Sequence, residues 1–171
     1  MPEIIIVAGP NGAGKTSFAR QYLSGRDHLE FVNADEVART LDYNFSPTQR
    51  DLIAARWILK RMEELPERKA SFVVETTLAA TGYLSKIESW KCQGFRVTLM
   101  FLRLASPDDA VDRVQRRVAA GGHGIPEATI RRRFALGLEN LERYYKSAVD
   151  EWYIWDSLEG DFELQQAWDD E

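Results

Sequence analysis

Residues 4–17 read IIIVAGPNGAGKTS, a short run of apolar β-branched residues followed by a glycine-rich loop. The stretch from Gly9 to Thr16 matches the pattern G-x-x-x-x-G-K-[ST] in full, with a predicted strand ending at Ala8 and a helix beginning near Lys15. Glycines let the backbone curl so that its N–H groups point inward at phosphate oxygens, and the helix N-terminus adds a positive dipole end. We therefore interpret the stretch as a nucleotide-binding phosphate loop rather than a simple glycine-rich turn. Its predicted binding residues are Gly9, Pro10, Asn11, Gly12, Ala13, Gly14, Lys15, Thr16 and Ser17.

Two residues of the loop have predicted roles of their own. We expect the ammonium group of Lys15 to reach the β- and γ-phosphates, as a catalytic as well as a binding residue, and the hydroxyl of Thr16 to hold Mg²⁺. A GTPase or ATPase of the Walker type would have an apolar strand ending in Asp, whereas Phe72–Val74 is followed by Glu75. The signatures of a guanine reader and of a transporter ATPase are also absent. The sequence therefore favours phosphoryl transfer to a bound acceptor over hydrolysis.

Strand and helix patterns alternate along the chain. Apolar runs that predict strands occur at Ile4–Ala8, Leu29–Val32, Ser71–Val74, Phe95–Leu104 and Trp152–Trp155. Because these runs lack strict alternation, they suit a sheet that is covered on both faces, and amphipathic patterns between them indicate the covering helices. The sequence thus predicts an α/β fold of the P-loop NTPase type, with a doubly wound, mostly parallel, five-stranded sheet and helices on both faces.

Length and composition limit the function classes. With 171 residues, 44% of them hydrophobic and 29% charged, the chain predicts one folded domain over residues 1–171. Its apolar runs are far shorter than the roughly 20 residues of a membrane-spanning helix, and the first residues do not resemble a secretory signal. A single cysteine, Cys92, fits a reducing compartment, so we expect a cytoplasmic protein with no membrane partner. The net charge of −5 argues against a nucleic-acid partner.

Basic charge is concentrated between residues 106 and 134, which predict two helices around the turn Gly121–Pro126. Such a hinged pair resembles a lid that closes over phosphates, excludes water and brings cations to the charge that develops during transfer. Neighbouring helical residues differ in direction by about 100°, so we favour two of the arginines, Arg117 and Arg132, as catalytic cations. The alternative interpretation is a solvated helix face. The arginines of the segment are Arg113, Arg116, Arg117, Arg131, Arg132 and Arg133.

Two acidic residues lie just past predicted strands, where parallel strands present side chains to the crevice of the sheet. Asp35 follows the second strand, and its carboxylate is a candidate general base that takes the proton of an acceptor hydroxyl. The alternative is that Asp35 caps a helix beginning near Glu36. Glu75 closes the third strand and is a candidate ligand of acceptor hydroxyls or of a Mg²⁺-bound water. Its alternative is a strand-end acid paired with a nearby arginine.

The end of the chain is acidic. Nine Asp and Glu and no Lys or Arg lie between Ser147 and Glu171. We expect residues 160–171 to form an acidic C-terminal tail, for which a solvated terminus is one interpretation. Asp156 and Ser157, after the last predicted strand, are expected near the adenine of a bound nucleotide.

The sequence resembles the zeta-toxin family of P-loop kinases, especially its short, stand-alone bacterial members. The resemblance lies in Ala8–Thr16, Phe31–Asp35, Val74–Thr77 and Arg113–Phe134, the last with its Gly-Gly-His-Gly-Ile-Pro turn. It implies phosphorylation of a hydroxyl that depends on ATP and Mg²⁺. The toxins of the family phosphorylate UDP-N-acetylglucosamine, and antitoxin proteins block them, so the resemblance implies a small-molecule hydroxyl acceptor and an antitoxin partner.

The resemblance also implies roles for individual residues. Asp35 corresponds to the general base of the family, and Lys15 and Thr16 correspond to its ATP site. Glu75 and Thr77 correspond to acceptor contacts, and the late arginines to charge stabilisers. The sequence departs from the toxins at Ala79, where they have an arginine that helps to bind the nucleotide sugar.

Three functions are consistent with these patterns. The leading hypothesis is an ATP-dependent kinase of zeta-toxin type that acts on a small molecule such as UDP-N-acetylglucosamine. A second is a housekeeping kinase for a nucleoside, a sugar or a shikimate-like acid. A third, from another class, is an interaction protein that binds a nucleotide without turnover; it would lack a base or a lid cation, and the sequence has candidates for both.

Overall fold

A computed structural model of the protein describes residues 1–41 and 44–169, with the side chain of Asp35 outside that description. The strands are β1 (Glu3–Ala8), β2 (Glu30–Val32), β3 (Phe72–Thr76), β4 (Arg96–Arg103), β5 (Glu151–Ser157) and β6 (Phe162–Ala167). The helices are α1 (Lys15–Leu23), α2 (Ala34–Thr40), α3 (Pro47–Glu67), α4 (Gly82–Cys92), α5 (Pro107–Ala119), α6 (Glu127–Asn140) and α7 (Lys146–Ala148). A π-helical turn, Leu141–Tyr145, joins α6 to α7.

Within the described residues, six strands form one sheet in the order β2-β3-β1-β4-β5-β6. The first five strands are parallel, and β6 pairs with β5 in the antiparallel direction. The predicted α/β class is therefore confirmed, and five of the strands are those that the apolar runs predicted. The order brings the carboxyl ends of β2, β3 and β1 side by side. The candidate site residues lie at or just after these ends.

The predicted count of five strands is wrong, because the sixth strand lies in the segment expected to be an acidic tail. Residues Phe162–Ala167 form β6, and Leu158 N donates to Asp161 O at 3.0 Å in the tight turn that connects it to β5. Most of β6 is exposed on both faces at the edge of the sheet, so its sequence lacks the apolar run that revealed the other strands. The chain end thus extends the sheet, at least as far as Ala167.

The sheet is covered on both faces, as the continuous apolar runs indicated. Along β1, Ile4 and Ile6 face a core formed with α3, α4 and the π-helical turn. Ile5 and Val7 face a second core formed with α1, α5 and α6. Every residue of β1 after Glu3 is therefore buried, and the loop that follows it starts from a fixed position.

Two serines start helices as their sequences suggest. Ser106 Oγ accepts from Asp109 N at 3.1 Å and precedes Pro107, which confirms the predicted start of α5. Ser46 caps α3 in a reciprocal arrangement, since its Oγ accepts from Gln49 N and its own N–H donates to Gln49 Oε1. Across the described ranges, none of the helices combines the length and apolar character needed to cross a membrane.

Candidate active site

The glycine-rich loop between β1 and α1 adopts a backbone conformation that residues with a Cβ atom could not adopt at two positions. Gly9 has a φ of +148°, and a Cβ added there would lie 2.5 Å from the carbonyl oxygen of Leu102. Gly12 has a φ of +84°, and its added Cβ would lie 3.0 Å from both Ala110 O and Arg113 Cβ. The loop therefore curls tightly against the end of β4 and the side of α5, and glycine is required at both positions.

Lys15 lies over this loop. Its Nζ donates to Gly9 O and to Pro10 O, both at 3.0 Å. The ammonium group is thus held against the first two residues of the loop, beside the backbone N–H groups that the motif provides for phosphate oxygens. The remaining predicted loop residues, Asn11 to Ser17, follow in the turn and the first residues of α1.

Thr16, Glu75 and Asn33 form a hydrogen-bonded chain beside the loop. Thr16 Oγ1 donates to Glu75 Oε2 at 3.0 Å, and Asn33 Nδ2 donates to Glu75 Oε1 at 3.2 Å. Glu75 lies in register with Val7 of β1, so the end of β3 places its carboxylate next to the first turn of α1. Three segments that are distant in sequence therefore meet at one end of the sheet.

The side-chain oxygens of Thr16 and Glu75 suit a magnesium ion. Mg²⁺ prefers hard oxygen ligands and is usually held by one or two protein groups together with substrate phosphates and water. Thr16 and Glu75 provide a hydroxyl and a carboxylate 3.0 Å apart. Where the structure describes side chains, no cluster of three or more His, Cys, Asp or Glu could enclose a metal alone. The donor set therefore fits a metal that arrives with a nucleotide.

Asp35 is the second residue of α2, directly after the end of β2. The helix begins at Ala34 rather than near Glu36, and Asn33 Oδ1 accepts from Glu36 N at 3.1 Å. Asn33 is thus the N-cap of α2, and the alternative interpretation of Asp35 as that cap is wrong. The backbone of Asp35 lies at the same end of the sheet as Glu75, while its side chain is outside the described residues.

The loop after β3, which contains Thr77 and Ala79, is fastened to α6 and the π-helical turn. Asn140 Nδ2 donates to Leu78 O, and Tyr145 Oη donates to Ala80 O, each at 2.7 Å. A Cβ added to Gly137 would lie 2.5 Å from Thr77 O, so α6 approaches the loop as closely as a backbone can. These contacts fix the position of Thr77, two residues after Glu75, against α6.

Tyr83, which sequence reasoning did not single out, is electrostatically coupled to this region. Burial, together with the smaller effects of the nearby Tyr145 and Glu75, raises the pKa of Tyr83 to about 12. Its hydroxyl therefore keeps its proton at neutral pH.

The arginine-rich segment forms the two expected helices, α5 and α6, joined by a turn that includes Gly121–Pro126. Arg117 Nη2 donates to His123 O at 3.3 Å within that turn, and Arg132 is exposed. Among the described residues, no hydrogen bond or ion pair joins either of them to the phosphate loop. Arg116 pairs with Glu159, and Arg131 with Asp108 and Glu127. The described contacts of Arg117 on α5 and the exposure of Arg132 on α6 therefore bring neither favoured arginine into contact with Thr16 or Glu75.

Arg113 has a different role from the one the sequence suggested. Its Nη1 donates to Ser157 Oγ at 3.0 Å and its Nη2 to Ser157 O at 2.8 Å. The buried Ser157 Oγ in turn donates to Ala13 O at 2.8 Å. Arg113 therefore joins α5, the end of β5 and the phosphate loop. We call the set Arg113, Ser157 and Ala13 the loop latch.

Removing the loop latch is expected to destabilise the protein. The side chain of Arg113 is 17% exposed, and Arg113→Ala leaves a buried serine hydroxyl and carbonyl without their charged donor. We expect the free energy of unfolding to fall by about 2 kcal/mol, since hydrogen bonds to charged groups contribute about 1.5–3 kcal/mol. Urea unfolding measures this change.

Arg116→Ala is the matched control for the latch. Arg116 lies on the same helix, but its side chain is 61% exposed and pairs with an exposed glutamate. Exposed ion pairs contribute little, so the stability of this variant should stay close to that of the unaltered protein. Equal losses in the two variants would contradict the latch.

Aromatic residues support the other side of the loop. Phe162 of β6 lies 3.4 Å from a Cβ added to Gly14, and its ring meets that of Phe18 edge to face, with centroids 5.0 Å apart. Trp155 of β5 packs on Phe18 from another direction, at 5.4 Å. The strand that sequence analysis missed thus forms part of the support for the phosphate loop.

Comparison with known proteins agrees with this fold. A model of a family described as an AAA domain matches residues 4–141. An uncharacterized protein of Haemophilus influenzae is 25% identical over 133 residues, which cover 77% of this chain and 92% of that protein.

Three solved structures illustrate the likeness. One is from the PezAT chromosomal toxin-antitoxin system of Streptococcus pneumoniae, with a TM-score of 0.71 and 15% identity over 98% of this chain and 72% of that chain. Another is AvrRxo1-ORF1:AvrRxo1-ORF2 with sulphate ions, with a TM-score of 0.74 and 17% identity over 98% of this chain but 58% of that chain. A gluconokinase from Sinorhizobium meliloti has a TM-score of 0.52 and 19% identity, with 91% and 83% of the chains covered. At these identities the likeness is one of fold. The fold is that of a P-loop kinase, and the resemblance to the zeta toxins is confirmed at that level.

Proposed function

We propose, since the chain belongs to the AAA domain family, that it is an ATP-dependent phosphotransferase that moves the γ-phosphate to a hydroxyl of a small molecule. The observation that carries the proposal is the convergence of the phosphate loop, the Thr16–Glu75–Asn33 chain and the start of α2 at one end of the sheet. A phosphate-binding loop alone would suit many nucleotide-binding proteins. The adjoining helix with an acid at its second residue supports a site with a base for an acceptor.

ATP would lie along the phosphate loop. Its β- and γ-phosphates would replace the carbonyls of Gly9 and Pro10 as the hydrogen-bond partners of Lys15 Nζ. A cavity of about 290 Å³ lined by Arg113, Arg116, Glu159 and Gly160 adjoins the loop latch, and we assign it to the base and ribose. This assignment agrees with the expectation that the end of β5 lies near the adenine.

Thr16 and Glu75 would hold the magnesium ion of the nucleotide. When bound, such an ion neutralises phosphate charge and orients the transferring group. The direct bond between the two side chains supports this role for Glu75 over a contact with the acceptor. Thr77, fixed by α6, remains a proposed acceptor contact.

Asp35 would act as the general base. The transfer forms a bond between the acceptor oxygen and the γ-phosphorus, breaks the bond between that phosphorus and the β–γ bridging oxygen, and releases ADP. The proton of the acceptor hydroxyl passes to the Asp35 carboxylate and then to solvent. Arg117 and Arg132 would approach the transferring phosphate when the lid closes, and stabilise the charge that develops there.

The acceptor would be a hydroxyl compound of metabolite size. A nucleotide sugar such as UDP-N-acetylglucosamine follows from the resemblance to the zeta toxins. Ala79 favours a second candidate class, a nucleoside, sugar or shikimate-like acid, because it offers no cation to a diphosphate. A gluconokinase among the structures of similar fold agrees with a sugar-like acceptor. The structure of similar fold from the PezAT toxin-antitoxin system supports an antitoxin as a further proposed partner.

A screen of acceptors tests the proposal. The protein is incubated with γ-labelled ATP, Mg²⁺ and members of a library of nucleotide sugars, nucleosides and sugars. We expect one chemical class to take up label at a rate that depends on Asp35. Binding of ATP without transfer to any member would support the interaction protein instead.

A further inference from the structure

The side chain of Asn33 is one of the few polar groups in the described core. It is 1% exposed, at the end of β2, where burial of an amide without partners would cost several kcal/mol on transfer scales (about 2–7). Both ends of the amide are bonded instead. The oxygen accepts from Glu36 N, and the nitrogen donates to Glu75 Oε1.

The oxygen end sets the start of α2. Its bond to Glu36 N is 3.1 Å long, and the main-chain carbonyl of Asn33 accepts from Val37 N at 3.3 Å. These two bonds hold the first turn of the helix, which contains Asp35, to the end of β2. The direction of α2 therefore depends on where the side chain of Asn33 is anchored.

The nitrogen end anchors it to Glu75. That carboxylate accepts from donors on both oxygens, with Thr16 Oγ1 closest to Oε2 at 3.0 Å and Asn33 Nδ2 on Oε1 at 3.2 Å. Two donors on opposite oxygens fix the plane of a carboxylate as well as its position. Strand pairing makes the contact regular, since Val32 and Val74 lie in register on parallel neighbours and the next residues are Asn33 and Glu75.

We propose that Asn33 is a positioning residue: one side chain that fixes the carboxylate of Glu75 through its nitrogen and the first turn of α2, with Asp35, through its oxygen. The inference rests on the proposed function for the role of Asp35 as general base. The contact between Asn33 and Glu75 is independent of that function. In this role Asn33 sets the position of Glu75, on the nucleotide side of the site, relative to Asp35, on the acceptor side. No group of Asn33 itself touches a reacting atom in this account.

A role as a simple helix cap is the competing explanation, and substitutions separate the two. Serine is as good an N-cap as asparagine. Its side chain is one bond shorter, however, so a hydroxyl that caps Glu36 N does not reach the Glu75 carboxylate. Asn33→Ser therefore keeps the cap and removes the anchor. Glu75→Gln keeps the size of the anchor's partner and removes its charge.

A double-mutant cycle on ATP binding tests the proposal without requiring turnover. The affinity for ATP is measured by calorimetry with Mg²⁺ and with EDTA, in the unaltered protein, Asn33→Ser, Glu75→Gln and the double variant. We expect Asn33→Ser to reduce the gain in affinity that Mg²⁺ provides by about tenfold, the lower end of the effect of outer-shell partners. Affinity in EDTA should change less than about twofold, and the double variant should match Glu75→Gln alone.

Several results would overturn the proposal. They are an unchanged magnesium effect in Asn33→Ser, additive losses in the double variant, an equal loss of ATP affinity in EDTA, and an unaltered protein that gains no affinity from Mg²⁺. The proposed function fails separately, if the same protein shows the expected cycle but transfers phosphate to no acceptor. Where an acceptor is found, Asn33→Ser should lower kcat by about tenfold or more, with a smaller change in KM for ATP.

Discussion

Asp35→Asn is expected to lower turnover by about 10²–10⁴, the range that a positioned general base contributes. Asparagine keeps the size of the side chain but cannot take the proton of the acceptor hydroxyl. ATP should bind as before, because the phosphate loop is untouched. Phosphoryl transfer with a loose transition state needs less assistance from a base, so the lower end of the range is expected. Steady-state kinetics with the acceptor from the screen provides the measurement.

The structure sharpens this test. A helix-cap role for Asp35 would have predicted little change, since asparagine caps as well as aspartate. Asn33 Oδ1 already accepts from Glu36 N, so the cap of α2 is filled by another residue. Near-normal turnover in Asp35→Asn would therefore mean that the base lies elsewhere, and Glu75 would be the next candidate.

Asp51→Asn is a matched control for the base. Asp51 is an exposed acid near the start of α3, outside the convergence of strand ends. The substitution makes the same chemical change on a neighbouring helix. Its turnover should equal that of the unaltered protein, and a comparable loss would point to the net charge rather than to Asp35.

Lys15→Ala is expected to weaken ATP binding by about 10- to 100-fold. The ammonium group lies 3.0 Å from Gly9 O and from Pro10 O, at the loop where phosphates would bind. A hydrogen bond to a charged group contributes about 1.5–3 kcal/mol, and each 1.4 kcal/mol is tenfold in affinity. Calorimetry with ATP and Mg²⁺ measures the loss, and circular dichroism checks that the fold is retained.

Lys60→Ala is the control for the removal of one lysine. Lys60 lies on α3 with its side chain 75% exposed and pairs with Glu64 in the same helix. ATP affinity should not change in this variant. Unchanged affinity in Lys15→Ala as well would remove the phosphate loop from the account.

The sequence sufficed for the parts of the fold that depend on local chemistry. Buried parallel strands carry continuous apolar runs, and Ser106 with Pro107 marks a helix start by its own hydrogen bond. The strand β6 was not predicted, because an exposed edge strand needs no apolar face. Phe162 is the one residue of β6 that is partly buried, and its partners Phe18 and Gly14 are distant in sequence.

The sequence singled out Thr16 and Glu75, but neither Asn33 nor the arrangement that joins the three residues. Glu75 lies near the end of β3 and Asn33 directly follows β2, yet their contact requires β2 and β3 to be neighbours, which the sequence does not state. Arg113 and Arg117 share a helix face by their spacing, and that spacing says nothing about Ser157, which lies 44 residues away and holds Arg113. Long-range pairing therefore determines which of the described arginines of α5 contact the phosphate loop and its supports.

The fate of the γ-phosphate tests the central claim most directly. The protein is incubated with γ-labelled ATP, Mg²⁺ and the acceptor from the screen in water enriched in ¹⁸O. The products are then separated, and their ¹⁸O content is measured by mass spectrometry. We predict one labelled phosphate on the acceptor for each ADP formed, with no ¹⁸O in the transferred group. Free phosphate that carries ¹⁸O, with the acceptor unmodified, would show hydrolysis and contradict the account.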